Sequence, residues 1–237
     1  MRIIKVENYE QLSREVADLI AAEIREKPKC VLGLATGSTP VGAYKLLVRA
    51  YESGEIDFSE ITSVNLDEYC GLPPDNPESY RRFMDENLFN HINIDKAKTH
   101  VPNGMAESLD AEAKGYEALI KSLGGIDLQL LGMGHNGHIG FNEPDEEFKA
   151  LTHHVHLAEQ TIKANSRFFE SPEDVPKSAI TMGIETIMHA KKIIIAVSGN
   201  DKANILKKAL FGTITPRIPA SILRLHNNLT VVTDCLT

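Results

Sequence analysis

Cysteine is scarce in this chain: Cys30, Cys70 and Cys235 are the whole supply, odd in number, far apart and without a CxxC pair. Over 237 residues that excludes a disulfide framework and reads as reduced thiols. Long apolar runs are missing too. None approaches the ~20 residues a membrane-spanning helix needs, and the opening MRIIKVENYEQL turns acidic before any signal-peptide core can form. A soluble, cytoplasmic protein without membrane partners is expected. Positive charge is in deficit, with 25 Lys and Arg against 33 Asp and Glu, a net −8. Non-specific nucleic-acid affinity comes from basic surface, so nucleic acid is excluded as a partner. A small anion, held by local amides and one or two cations, is not. Motifs are missing as well: the Ala35 to Pro40 loop is neither a GxGxxG fingerprint nor a GK[ST] loop, so dinucleotides and NTPs lose ground, and the chain has no HExxH for zinc and no GxSxG elbow for a nucleophilic serine.

What is present is an ordinary globular balance, 42% hydrophobic and 24% charged, in a length that favours one domain with a sizeable core. Apolar positions Leu12, Val16, Leu19, Ile20 and Ile24 fall at helical spacing, with Asn8 and Gln11 as a capping pair and Pro28 as the stop. A strand follows at Val31–Leu34, then a helix from Pro40 to about Ser53. Further strands are expected at 62–65, 127–131, 193–197 and 229–232, and further helices near 77–89, 111–122, 184–189 and 201–210. Strands with little alternation, each followed by a helix, indicate a single Rossmann-like α/β/α three-layer sandwich with a mostly parallel sheet over residues 1–237. The stretch 142–176 is the longest irregular region and a candidate lid. His153, His154 and His156 within it read as an exposed strand or loop.

In such sheets ligands sit beyond the carboxyl ends of the strands, near a topological switch point. Three post-strand segments carry chemistry. Thr36-Gly37-Ser38-Thr39-Pro40 offers backbone amides, hydroxyls and a positive helix end, the usual α/β cradle for phosphate; a well-capped turn is the alternative. Ser198 to Lys202 repeats the arrangement, with Lys202 in a first helical turn, where a cation is unfavourable unless an anion is near; a solvated lysine is the alternative. Asp67 and Glu68 stand at a strand end, and adjacent residues on extended chain point opposite ways. One can therefore face the cleft as a general base while the other pairs structurally, unless both are capping acids in a polar turn.

The richest segment runs from Gly132 through His135, Asn136, His138, Asn142 and Glu143, with four glycines between Gly132 and Gly140. Glycine at that density brings polar side chains together, and a carboxylate can orient a histidine for proton transfer near neutral pH. His135, His138, Glu143 and Asp67 are metal-ligating types, but HxxH spacing alone does not specify a metal, and neither metal nor cofactor is expected. Proton transfer on a small polar substrate uses every part.

These blocks resemble glucosamine-6-phosphate deaminase, also called glucosamine-6-phosphate isomerase. The likeness is carried by Gly33 to Pro40 (GLATGSTP), Asn65 to Pro73 (NLDEYCGLP), Gly134 to Pro144 (GHNGHIGFNEP) and Ala164 to Phe169 (ANSRFF), in family order and over essentially the whole chain. The resemblance implies isomerisation of glucosamine 6-phosphate with loss of ammonia, giving fructose 6-phosphate without metal or organic cofactor. It implies Asp67 as the base moving a proton from C2 to C1, and His138 as the acid/base of ring opening, assisted by Glu143 and position 136. It implies Thr36, Gly37, Ser38, Thr39, Arg167 and Lys202 as the phosphate-binding set. The implied fold is the sandwich shared with ribose-5-phosphate isomerase and 6-phosphogluconolactonase. Position 136 is Asn, where some members place Asp; an amide cannot stabilise an imidazolium by charge, so Glu143 is expected to carry that role. The chain lacks the C-terminal extension of the longer allosteric members, and His153 and Val155 stand where those use basic residues for an effector. Hyperbolic kinetics and a monomer or small homo-oligomer are expected. The rivals are a 6-phosphogluconolactonase-like hydrolase and a non-catalytic sugar-phosphate sensor.

Overall fold

Strands with apolar residues at nearly every position need cover on both faces, and the computed structural model builds its centre from such strands. It describes residues 1–166, 169, 171 and 174–236, apart from the side chains of residues 160, 164 and 165. In chain order the first half holds β1 (Arg2–Lys5), α1 (Tyr9–Glu26), β2 (Val31–Leu34), α2 (Val41–Glu52), β3 (Thr62–Asn65), β4 (Asp67–Tyr69), α3 (Tyr80–Asn87), β5 (Thr99–His100) and α4 (Leu109–Ser122). The second half holds β6 (Leu128–Leu131), β7 (His153–His156), α5 (Glu159–Asn165), β8 (Ser178–Thr181), α6 (Ile184–Met188), β9 (Lys192–Val197), α7 (Ala203–Phe211) and β10 (Leu229–Thr233).

Seven strands form one parallel sheet in the order β1-β10-β9-β6-β2-β3-β5. Every residue of β2 and β6 is buried, as covering layers of helix on both faces require. The chain runs outward from β2 through β3 to β5, then returns to the other side of β2 at β6. That reversal is the switch point, and the crevice beyond the strand ends opens between the β2 and β6 loops. The α/β sandwich with a mostly parallel sheet is therefore the architecture.

Local signals explain the main helices. Asn8 Oδ1 accepts from Gln11 N at 2.9 Å, and the Gln11 side chain accepts in return from Glu7 N, one residue earlier than a regular capping box. The apolar stripe Leu12, Val16, Ile20 and Ile24 is buried against the sheet. Helix 77–89 is shorter than its sequence suggests: Ser79 caps it, and it runs only over Tyr80–Asn87.

A second, antiparallel sheet, β4-β8-β7, was not foreshadowed by the alternation of strands and helices. Asp67 and Glu68 lie within β4, not at the end of β3. The segment 142–176, expected to be irregular, contributes β7 and α5, and the three histidines do form a strand. This sheet closes over a small apolar cluster of its own, Tyr69, Phe141, Leu157 and Ala179. Among the described residues no helix is long and apolar enough to cross a membrane.

Candidate active site

The loop after β2 is pinned by two tyrosines that its own sequence does not reveal. Tyr44 Oη donates to Ala35 O at 2.6 Å, and Tyr9 Oη donates to Ser38 O at 3.0 Å while accepting from Gly42 N. The loop's residues Thr36 to Thr39 line a cavity of about 490 Å³ at the amino end of α2. A three-turn helix aimed this way presents partial positive charge to whatever occupies the cavity.

Lys202 lines the same cavity from the loop after β9, and its Nζ donates to Met133 O in the loop after β6 at 2.7 Å. It caps the start of α7, so the cation stands where an anion would relieve the helix dipole. Arg167, the remaining member of the implied phosphate set, lies outside the described residues. Three adjacent parallel strands, β2, β6 and β9, thus deliver their loops to one opening.

The loop after β6 is folded by its glycines. Gly140 adopts φ +57°, and a Cβ there would meet Thr181 Oγ1 at 2.9 Å and Asp67 Oδ2 at 3.4 Å. The bare backbone lets the histidine segment lie against the base strand. His138 Nδ1 sits 3.3 Å from Glu143 Oε2. Asn136 Nδ2 donates to that same oxygen at 2.6 Å, while Thr161 Oγ1 donates to Glu143 Oε1. Burial works against ionisation of Glu143, yet His138, Thr161 and Asn136 together hold its carboxyl below the usual range. Asn136 therefore orients Glu143 directly; its Oδ1 also accepts from His138 N at 3.2 Å.

Asp67 and Glu68 divide as strand geometry requires. Glu68 turns away from the cavity and accepts from Tyr69 N, Ser79 Oγ, Tyr80 N and Arg81 N, all within 2.8–2.9 Å, which clamps the start of α3. Asp67 lines the cavity, is only 6% exposed, and has its pKa pushed up to about 8, first by burial and then by the Glu68 charge. A carboxyl of that affinity exchanges protons near neutrality.

The two histidines of the HxxH segment go to different carboxylates. His135 reaches Asp201 at 2.6 Å on the exposed rim, and His138 faces Glu143 inside. Among the described residues no three His, Cys, Asp or Glu side chains gather as a metal ion would require. Sequence reading did not find Thr161, Tyr80 or Phe169, which complete the wall. Tyr80 stacks on Phe141 with rings 8° from parallel, giving the cavity one apolar side.

The chain is similar to known proteins over nearly its whole length. A family model described as glucosamine-6-phosphate isomerases/6-phosphogluconolactonase matches residues 5–232. A glucosamine-6-phosphate deaminase of Lachnoclostridium phytofermentans is 59% identical over 98% of each chain. One of Clostridium perfringens is 55% identical over 99% of this chain and 97% of that one. A solved structure described as a monomeric glucosamine-6-phosphate deaminase superimposes with a TM-score of 0.96 at 48% identity, covering 98% and 97% of the two chains. The 6-phosphogluconolactonase of Thermotoga maritima shares the fold, with a TM-score of 0.76 at 20% identity over 98% and 96%.

Proposed function

The chain belongs to the family of glucosamine-6-phosphate isomerases and 6-phosphogluconolactonases, and within it we propose that it is a glucosamine-6-phosphate deaminase. The reaction converts glucosamine 6-phosphate to fructose 6-phosphate and ammonia. One observation carries the reading: a buried carboxyl titrating near neutrality, Asp67, opens onto the same cavity as the His138–Glu143 pair.

The pyranose opens first. Neutral His138 takes the proton from O1 and returns one to O5, with Glu143 steadying the imidazolium between the two transfers. The C1 carbonyl so formed acidifies the proton at C2. Asp67, as carboxylate, takes that proton and redelivers it to C1, while O1 gains the proton that the nitrogen gives up, leaving a C1 hydroxyl and an imine at C2. Water then adds to the imine carbon, ammonia leaves, and the ketose remains. Each acid/base group typically contributes ~10²–10⁴-fold, so two are a reasonable minimum. Thr36, Gly37, Ser38, Thr39 and Lys202, with Arg167, hold the phosphate and keep C2 over Asp67.

Lactone hydrolysis moves no carbon-bound proton and would leave Asp67 unemployed, and the lactonases compared share the fold at about one residue in five. A sugar-phosphate sensor would need the phosphate loop but neither acid/base group. We further read the protein as a cytoplasmic monomer with hyperbolic kinetics, a reading supported by the free thiols and the monomeric relative. Incubation with glucosamine 6-phosphate and EDTA tests the function: ammonia and fructose 6-phosphate should appear in equal amounts. Hydrolysis of 6-phosphogluconolactone without ammonia release from the amino sugar would overturn it.

A further inference from the structure

A buried carboxylate is costly unless its oxygens find donors. The Glu143 side chain is 11% exposed, and different elements serve its two oxygens. Oε2 takes Asn136 Nδ2 at 2.6 Å and faces His138 Nδ1 at 3.3 Å, both from the loop after β6. Oε1 takes the hydroxyl of Thr161, which comes from α5 and is itself buried. The last torsion of a glutamate is soft and roughly two-fold, so a donor on one oxygen leaves the carboxylate plane free to swing about that bond. A second donor on the other oxygen fixes the plane. Ile162, the next residue of α5, packs on the apolar cluster around Tyr69 and Phe141 and so anchors the hydroxyl.

We propose that Thr161 is a positioning residue for ring opening: its hydroxyl holds the Glu143 carboxylate so that Oε2 stays turned to His138. It touches neither the C2 proton nor Asp67 in this scheme. Its loss therefore falls on the closed-ring step alone. The inference rests on the deaminase reading.

Thr161→Val keeps the shape and removes the hydroxyl. Ammonia release should then fall about tenfold or more on glucosamine 6-phosphate, the effect of losing a hydrogen bond to a buried charge. On the 4,5-dideoxy analogue of glucosamine 6-phosphate, which lacks the hydroxyls at C4 and C5 and so closes to neither a furanose nor a pyranose, the same preparation should lose less than about twofold. Both rates come from one preparation, so a misfolded fraction cancels from their ratio. Thr161→Ser should restore the closed-ring rate. Equal losses on the two substrates, or failure of serine to rescue, overturn the role of Thr161 while leaving the deaminase intact. If the unaltered protein releases ammonia from neither substrate, the functional reading itself falls, and this role with it.

Discussion

At Asp67 folding and proton transfer pull in opposite directions. Burial first and the Glu68 charge second raise its pKa to about 8, so near neutral pH the free enzyme holds mostly the protonated form. Only the carboxylate can take the C2 proton. The plot of kcat/KM against pH should therefore climb through an acid limb near 8 and level above it, since that ratio reports groups of the free enzyme. A limb at about pH 5, close to an ordinary carboxyl, would show that the site is more solvated than its burial implies. Asp67→Asn should lower turnover by at least ~10²-fold and abolish exchange of the C2 hydrogen with deuterated water. Exchange retained in that variant would assign the proton to another group. The amide at Asn136 belongs to the same logic. A donor there keeps Glu143 anionic, whereas an aspartate would set a second carboxylate against Oε2 at the present 2.6 Å.

At the scale of elements, the site is three loops from adjacent parallel strands plus one segment from the small sheet. The loops were legible because their chemistry is local. Glycine, hydroxyl and histidine cluster within a few residues of a strand end, and a strand without alternation announces a covered parallel sheet. The small sheet was not. β4 is three residues long and mixes two acids with Tyr69, so by pattern it merges with the end of β3. β7 is three histidines and a valine. α5 spans only seven residues, too short for periodicity to rise above a loop, and that hid Thr161. Its bond to Glu143 spans 18 residues, a separation that no local spacing rule encodes. Gly134 gives this scale its test. A Cβ there would lie 2.2 Å from His138 Cε1 and 2.3 Å from Nε2, so the imidazole packs directly on bare backbone. Gly134→Ala must displace that ring. kcat should fall about 10²-fold, the usual cost of moving a catalytic group by ~1 Å, with KM little changed because the phosphate loop belongs to β2. A raised KM at unaltered kcat would place the disturbance at the phosphate end.

For the whole molecule, the net charge of −8 and an anionic substrate coexist because the two act over different distances. The acids are spread over solvated surface, where charges more than ~10 Å apart are screened. The phosphate is met by one loop's amides and a lysine at the mouth of a cavity. Asp67 is an acid whose burial sets chemistry against stability. Its unfolded pKa is the ordinary 3.8 and its folded pKa is about 8. Between those values the native chain keeps a proton that the unfolded chain has lost, so raising the pH costs stability across that window. Below it both states are protonated and there is no penalty; above it the penalty is complete. Asp67→Asn carries no such charge, and it also relieves Glu68 of a like neighbour. Its melting temperature should therefore exceed that of the unaltered protein by more at about pH 8.5 than at about pH 4, where about 1 kcal/mol corresponds to ~2–4 °C for a chain of this size. Thermal melts of the two proteins at both pH values measure the difference. A gap that stays constant with pH would mean that Asp67 is not buried as a titrating group, and the strained base would have to be given up together with the stability effect.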